Sequence, residues 1–289
     1  MDLTNLVHKR LSENEYLKET LAKFGGAPAV FNTEFPPDQD EGWEGRIQFP
    51  RISFVFNKQA DVQRTASGTL IVAVYNTMKM IETERLENAV RSSLQDILMK
   101  PDGEAPICLS WSKTDPYVLN GNEVLCKEII FDILEYPTQE TTDPDPVAAL
   151  NHYIKECFPD SMVLGIDKFQ DQIIPAEATP IWYTGLTSIA EVAGHCMHSI
   201  IWYDASLAVH LLCPDTGQRL KMVAALEQRL GREWRITMLD QSPMTVKTVK
   251  MDNKADYLRE GQISAVVHYG CLRESIRDNV LNNVFINDH

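Results

Sequence analysis

The sequence predicts an α+β fold built twice: two similar domains, each a mainly antiparallel sheet of about four strands with two helices packed on it, in α-β-β-α-β-β order. Three observations predict it. The chain has 289 residues, which suits about two domains. Helix-like and strand-like periodicities follow one another in the same order in both halves. The stretch 138–146 between the halves has almost no apolar residue and contains Pro144 and Pro146, the mark of a linker. The expected layout is a first repeat at 1–137, a linker at 138–146, a second repeat at 147–272 and a C-terminal arm at 273–289.

The elements follow in order. Leu3, Leu6, Val7, Leu11, Leu17, Leu21 and Phe24 lie roughly on a 3.6-residue period, and Gly25-Gly26 is expected to stop that helix. An acidic, proline-bearing loop at 35–44 leads to a strand at 50–56. A second strand, 69–75, is rich in β-branched residues. Leu86, Val90, Leu94 and Ile97 mark one face of the next helix, ended by Lys100-Pro101. Strands at 106–111 and 124–134 close the unit.

The order then repeats. Asp145 is the expected N-cap of a helix at 146–158, with Pro146 at its first position and Val147, Leu150, Ile154 and Phe158 inward. Strands are expected at 180–183 and at the end of the 195–212 run. A helix follows with Leu220, Val223, Leu226 and Leu230 inward and Gly231 after it, then strands at 234–238 and 263–269. Equivalent elements are about 130 to 140 residues apart; 70–75 aligns with 207–212 at an offset of 137. Residues 1–137 carry 14 basic and 21 acidic side chains and the remainder 13 and 20, so each half is −7. Repeats of this size are whole domains rather than solenoid units. Four long connections, 57–68, 113–122, 183–194 and 240–254, are expected to be loops that carry contacts.

The composition excludes several classes. Hydrophobic residues at 44% and charged residues at 24% are globular values, not those of a disordered or fibrous chain. A net charge of −14 repels phosphate backbones, so no specific nucleic-acid partner is expected. No basic leader with an apolar core opens the chain, so no signal peptide is expected, and no apolar run is long enough to span a bilayer. The six cysteines, 108, 126, 157, 196, 213 and 271, have no C-x-x-C pair and are expected to be reduced and buried.

Catalytic and metal chemistry have thin support. His195-Cys196-Met197-His198 is the sharpest cluster, and imidazole with thiol is zinc chemistry. On an extended strand His195 and His198 point to opposite faces, so a site would need His210 or Asp204 from elsewhere. Cys196 or Cys213 with His210 is a conceivable nucleophile pair, but thiolates need an electropositive setting. The acidic loop 38–44 lacks the spacing of a calcium site. Phosphate-cradle, dinucleotide, zinc-protease and serine-hydrolase signatures are missing. The expectation is a non-enzymatic protein without cofactor. Its rivals are a metal-dependent or cysteine enzyme centred near His195–His198 and a two-domain adaptor.

The element order of each half resembles the tail-terminator, or tail-completion, family of minor tail proteins of long-tailed bacteriophages. The matching features are the first helix ending near Phe24, the loop into Phe49-Pro50-Arg51-Ile52-Ser53, the strand 70–75, the helix 81–99 and the last strand into Phe131-Asp132-Ile133-Leu134. Residues 146–271 repeat the scheme. The resemblance is one of pattern and covers most of the chain.

It implies a phage or prophage structural protein that forms a ring at the tail–head joint. Its partners would be copies of itself and other tail or head-completion proteins. Its place would be the bacterial cytoplasm during assembly, then the virion tail. Family rings are typically six-fold; a trimer of this duplicated chain would present six pseudo-equivalent domains. Asp38, Trp43, Trp111 and Tyr117, with Ile276, Val280 and Phe285 in the arm, are the candidate interface residues.

Overall fold

The computed structural model describes residues 1–63, 65–77, 79–119, 123–168, 180–193, 199–213 and 215–273, and the backbone of 172–173. Asp2 caps helix α1 (Leu3–Glu13) by accepting from Asn5 N at 2.7 Å. Asn14 ends α1 and caps α2 (Glu15–Thr20), accepting from Leu17 N at 3.1 Å. A side-chain oxygen in that position satisfies an orphan helix donor, so the single helix expected to reach Phe24 is two. Gly25-Gly26 is not its stop. Both glycines have positive φ, 57° and 85°, and form the two-residue turn between β1 (Lys23–Phe24) and β2 (Ala27–Pro28).

The chain continues through β3 (Val30–Asn32), β4 (Arg51–Asn57), β5 (Gly68–Thr77), α3 (Met80–Leu94), β6 (Leu98–Met99), β7 (Ile107–Leu119) and β8 (Val124–Glu135). These strands lie in the order β6-β7-β8-β5-β4-β3. Every neighbouring pair is antiparallel except β3 with β4. The second half comprises α4 (Pro146–Cys157), β9 (Met162–Val163), β10 (Gln172–Ile173), β11 (Ile181–Glu191), β12 (Ile200–Leu212), α5 (Thr216–Glu233), β13 (Arg235–Thr237), β14 (Pro243–Met251) and β15 (Ile263–Leu272). Its sheet has the order β13-β14-β15-β12-β11-β9, antiparallel except β9 with β11.

The two orders coincide strand for strand, with β3, β4, β5, β6, β7 and β8 matching β9, β11, β12, β13, β14 and β15. The parallel pair falls at the same edge, and a helix separates the third strand of each set from the fourth. A register shift also recurs in the same place: between Trp111 and Lys113 opposite β8, and between Val246 and Thr248 opposite β15. It sets the equivalence Phe131 with Val267, hence Asp132 with His268.

The expected pair of four-stranded α-β-β-α-β-β units is therefore wrong. Each sheet has six strands of its own half, and strand rather than helix dominates the chain. The missed strands β3, β6 and β9 have two or three residues, too few to show a period of two, whereas β13 falls within the strand expected at 234–238. Three of the four expected contact loops are strands as well. β7 runs on to Leu119, β11 to Glu191, and β14 fills most of 240–254. Their outer positions are solvated and polar, as Lys247 and Lys250 are on β14, and so read as loop. Only 57–68 is a connection, held by an isolated bridge between Asp61 and Ala66.

In the first half, Leu6, Val7 and Leu11 of α1 and Leu86, Val90 and Leu94 of α3 pack on alternate residues Ile52 and Phe54, Leu70, Val72 and Val74, and Ile129 and Phe131. Alternate strand residues share a face, so both helices cover one face of the sheet. In the second half, α4 and α5 cover the matching face through Val147, Leu150, Ile154, Val223, Leu226 and Leu230. Leu220, expected inward, is 39% exposed; it lies one turn before the stripe meets the sheet. Asp145 caps α4 as expected, accepting from Val147 N at 2.8 Å and Ala148 N at 3.3 Å. Cys108, Cys126, Cys213 and Cys271 are buried, Cys157 half-buried, and all five are free. No helix among the described residues is long and apolar enough to cross a membrane.

Candidate assembly interface

The two halves meet in a joint that is not symmetric. The second half supplies the projections and the first half receives them. The connection between β9 and β11 sends β10 to the edge of the first sheet, where Gln172 and Ile173 pair antiparallel with Met99 and Leu98 of β6. The connection between β14 and β15 lies on the outer face of the first sheet, the face away from α1 and α3. There Arg259 Nη2 is 2.8 Å from Asp132 Oδ2 and 3.3 Å from Ser110 Oγ. Tyr136 donates its hydroxyl to Leu258 O at 2.9 Å.

An apolar cluster seals the contact. Leu98, Cys108, Leu134 and Tyr136 of the first half pack with Leu164, Ile181, Tyr183, Leu212 and Leu258 of the second. His210 is buried beside it, with ring centroids 5.5 Å from Tyr183 and 6.2 Å from Tyr136. Its Nδ1 lies 3.2 Å from Tyr257 O. Burial holds the His210 imidazole below its usual pKa, against the pull of the Tyr257 carbonyl and Asp256. Burial likewise raises the Tyr183 phenol to about 12. A cavity of about 170 Å³ opens beside the joint between the 136–140 segment and α4. Two buried atoms in its lining, Asn151 Oδ1 and Thr184 Oγ1, have no protein partner and are placed to hold bound water.

The outer face of the second sheet has no such cover among the described residues. His268 occupies the position equivalent to Asp132, and Asp204 that of Thr69. His268 Nδ1 lies 2.8 Å from Asp204 Oδ1, Lys247 Nζ lies 2.7 Å from Asp204 Oδ2, and the Trp202 ring stacks on His268 at 5.0 Å. Burial pushes the Asp204 carboxyl up, but the hydrogen bonds from Lys247 and His268 prevail and leave it below the usual carboxylate range. Lys247 and Asp204 keep 42% and 31% of their side chains exposed.

The residues singled out from the sequence fall in different places. Asp38 is exposed and pairs with Arg51 Nη1 at 2.6 Å; that guanidinium sits 4.2 Å over the Phe35 ring. Trp43 is a correction: it is 3% exposed, packed against Phe24 and Phe31 with Nε1 donating to Pro37 O, so it supports the acidic loop from beneath. Trp111 is 37% exposed under the Arg91 guanidinium at 3.9 Å. Tyr117 is half-buried and donates to Glu128 Oε1 at 3.0 Å; burial pushes its phenol far above the ordinary value. The structure does not bring these four together.

His195, Cys196, His198, Ile276, Val280 and Phe285 lie outside the described residues. His210, the remaining ligand candidate, is buried in the joint, and among the described residues no group of His, Cys, Asp or Glu is placed to hold a metal. Burial raises the Cys213 thiol, the opposite of what a nucleophile paired with His210 requires. Asp132 and Arg259 escaped the sequence reading because 127 residues separate them. One signal was present: Asp132 is the lone charge in the apolar run 129–134, and a charge in a strand buried on both faces needs a partner. Comparison with protein-family models and with curated proteins returned no match.

Proposed function

We propose that this chain is a structural protein that assembles with copies of itself, a tail-terminator-like subunit at the tail–head joint of a phage or prophage. It would act in the bacterial cytoplasm during assembly and then in the virion tail. Its further partners would be other tail or head-completion proteins. One observation carries the reading: the same strand order occurs twice, and the two occurrences are joined by a one-way contact. A contact in which one unit projects and the other receives is heterologous, and repeated between copies it closes a ring or grows a filament. A ring of three chains would place six pseudo-equivalent sheets around an axis. A clamp-like adaptor is the weaker reading, because Arg259 on Asp132 and the apolar cluster lock the two halves against opening.

Light scattering on the full chain during size-exclusion chromatography tests the proposal. A discrete multimer at tens of micromolar is expected; a strict monomer overturns it.

A further inference from the structure

We propose that the edge strand β13 of one copy is the docking site for the acidic 33–50 connection of a second copy. The proposal rests on the self-assembly reading above and names the surfaces that would carry it.

The joint inside the chain supplies the pattern. There, the connection between the parallel pair of the second half, β9 and β11, delivers β10 to β6, the end strand of the first sheet. The strand equivalent to β6 is β13, which pairs with β14 on one side and with no described strand on the other. The connection equivalent to that between β9 and β11 is 33–50, between β3 and β4. It lies at the opposite end of the first sheet from β6, and Trp43 anchors it there against Phe24 and Phe31. Among the described residues it makes no strand pairing with β13 of its own chain. In strand order the first sheet runs from β3 to β6, where β10 of the second half is added, and the second sheet runs from β9 to β13. The chain thus ends in two unlike surfaces, the two parts of the joint it already uses once.

The chemistry of the two ends is complementary. The 33–50 connection exposes Glu34, Asp38, Asp40, Glu41 and Glu44 against one exposed cation, Arg46, with Asp38 engaged by Arg51, together with Ile47 at 60%. The β13 end exposes Arg232 and Arg235, with Trp234 at 58% and Leu239 at 57% beside them. Of the acidic residues at that end, Glu233 is engaged by the Tyr153 hydroxyl at 2.8 Å and Asp240 by Ser242. Trp234 stands in the left-handed region, φ 37°, which turns the chain from α5 into β13 and leaves its indole outside the core. Open strand edges are templates for pairing, and opposite charge at the rim sets which partner docks.

The test is a charge swap on the full chain, read as mass by light scattering and as a dissociation constant by sedimentation. Circular dichroism and thermal midpoint serve as folding controls. Arg232→Glu with Arg235→Glu is expected to weaken association more than about tenfold, since like charges would face each other, with the controls unchanged. Adding Glu41→Lys and Glu44→Lys to the same chain is expected to restore the multimer. A double variant that associates like the wild type, or a swapped chain that stays dissociated, overturns this docking surface while leaving self-assembly standing. A wild-type chain that is monomeric removes the self-assembly reading itself.

Discussion

The carboxylate of Asp132, on the outer face of β8, lies 2.8 Å from the guanidinium of Arg259 in the connection between β14 and β15, and its side chain is 2% exposed. This pair ties the first half of the chain to the second across 127 residues of sequence. Arg259 also approaches Ser110 and Asp256, so the guanidinium is held on several sides.

Arg259→Ala strands a buried carboxylate. Breaking a buried pair from one side costs about 3 to 5 kcal/mol, and the partly exposed Arg259 places the expectation at about 3. Urea denaturation measures it. Replacing both residues, Asp132→Leu with Arg259→Met, removes the stranded charge and should recover most of the loss.

The stability of the joint depends on pH through His210. Burial depresses its folded pKa, whereas the unfolded chain titrates near the ordinary value of about 6.5. Below that pH the unfolded chain binds a proton that the folded chain refuses. The contribution is therefore complete above about pH 6.5 and is lost as the pH falls toward the depressed folded value. Denaturation midpoints at pH 7.5 and 5.5 should show the fall, and His210→Gln should make the slope shallower. An equal slope in the variant would remove His210 as its source.

The α4 cap is a local test. Asp145 accepts from Val147 N, Ala148 N and Thr141 Oγ1. Asp145→Ala should cost about 1 kcal/mol, measured as a lowered urea midpoint with an unchanged slope.

Two leucines of α5 separate core from surface. Leu226 is 0% exposed and Leu220 is 39% exposed. Leu226→Ala should cost about 2 to 5 kcal/mol, and Leu220→Ala no more than about 0.5. Equal losses would mean that α5 is rotated on its sheet.

Periodicity and capping made α3, α4, α5, β4, β5, β8 and β15 legible, because each has enough apolar residues to display a stripe or an alternation. Asp145 before Pro146 was readable as a cap for the same local reason. The edge strands β3, β6 and β9 were not readable, since two or three residues have no period, whereas β13 was, within the strand expected at 234–238. The polar outer faces of β7, β11 and β14 hid strands inside apparent loops. Asn14 split a helix whose apolar spacing runs on without a break. At the candidate interface, the exposed Asp38 was visible as part of an acidic loop. Trp43 misled because an aromatic in a polar loop resembles a contact residue, whereas Phe24 and Phe31 enclose it. The joint depends on pairs far apart in sequence, such as Asp132 with Arg259 and Leu98 with Ile173, for which local composition holds no signal.

In the proposed assembly the chain repeats between copies the one-way contact it makes within itself. Electron-microscope class averages of the full chain test this most directly. Closed particles with cyclic symmetry and two sheet-bearing lobes per chain are expected, six lobes if three chains close the ring. Single chains, or dimers related by a two-fold axis with β13 left free, would contradict it.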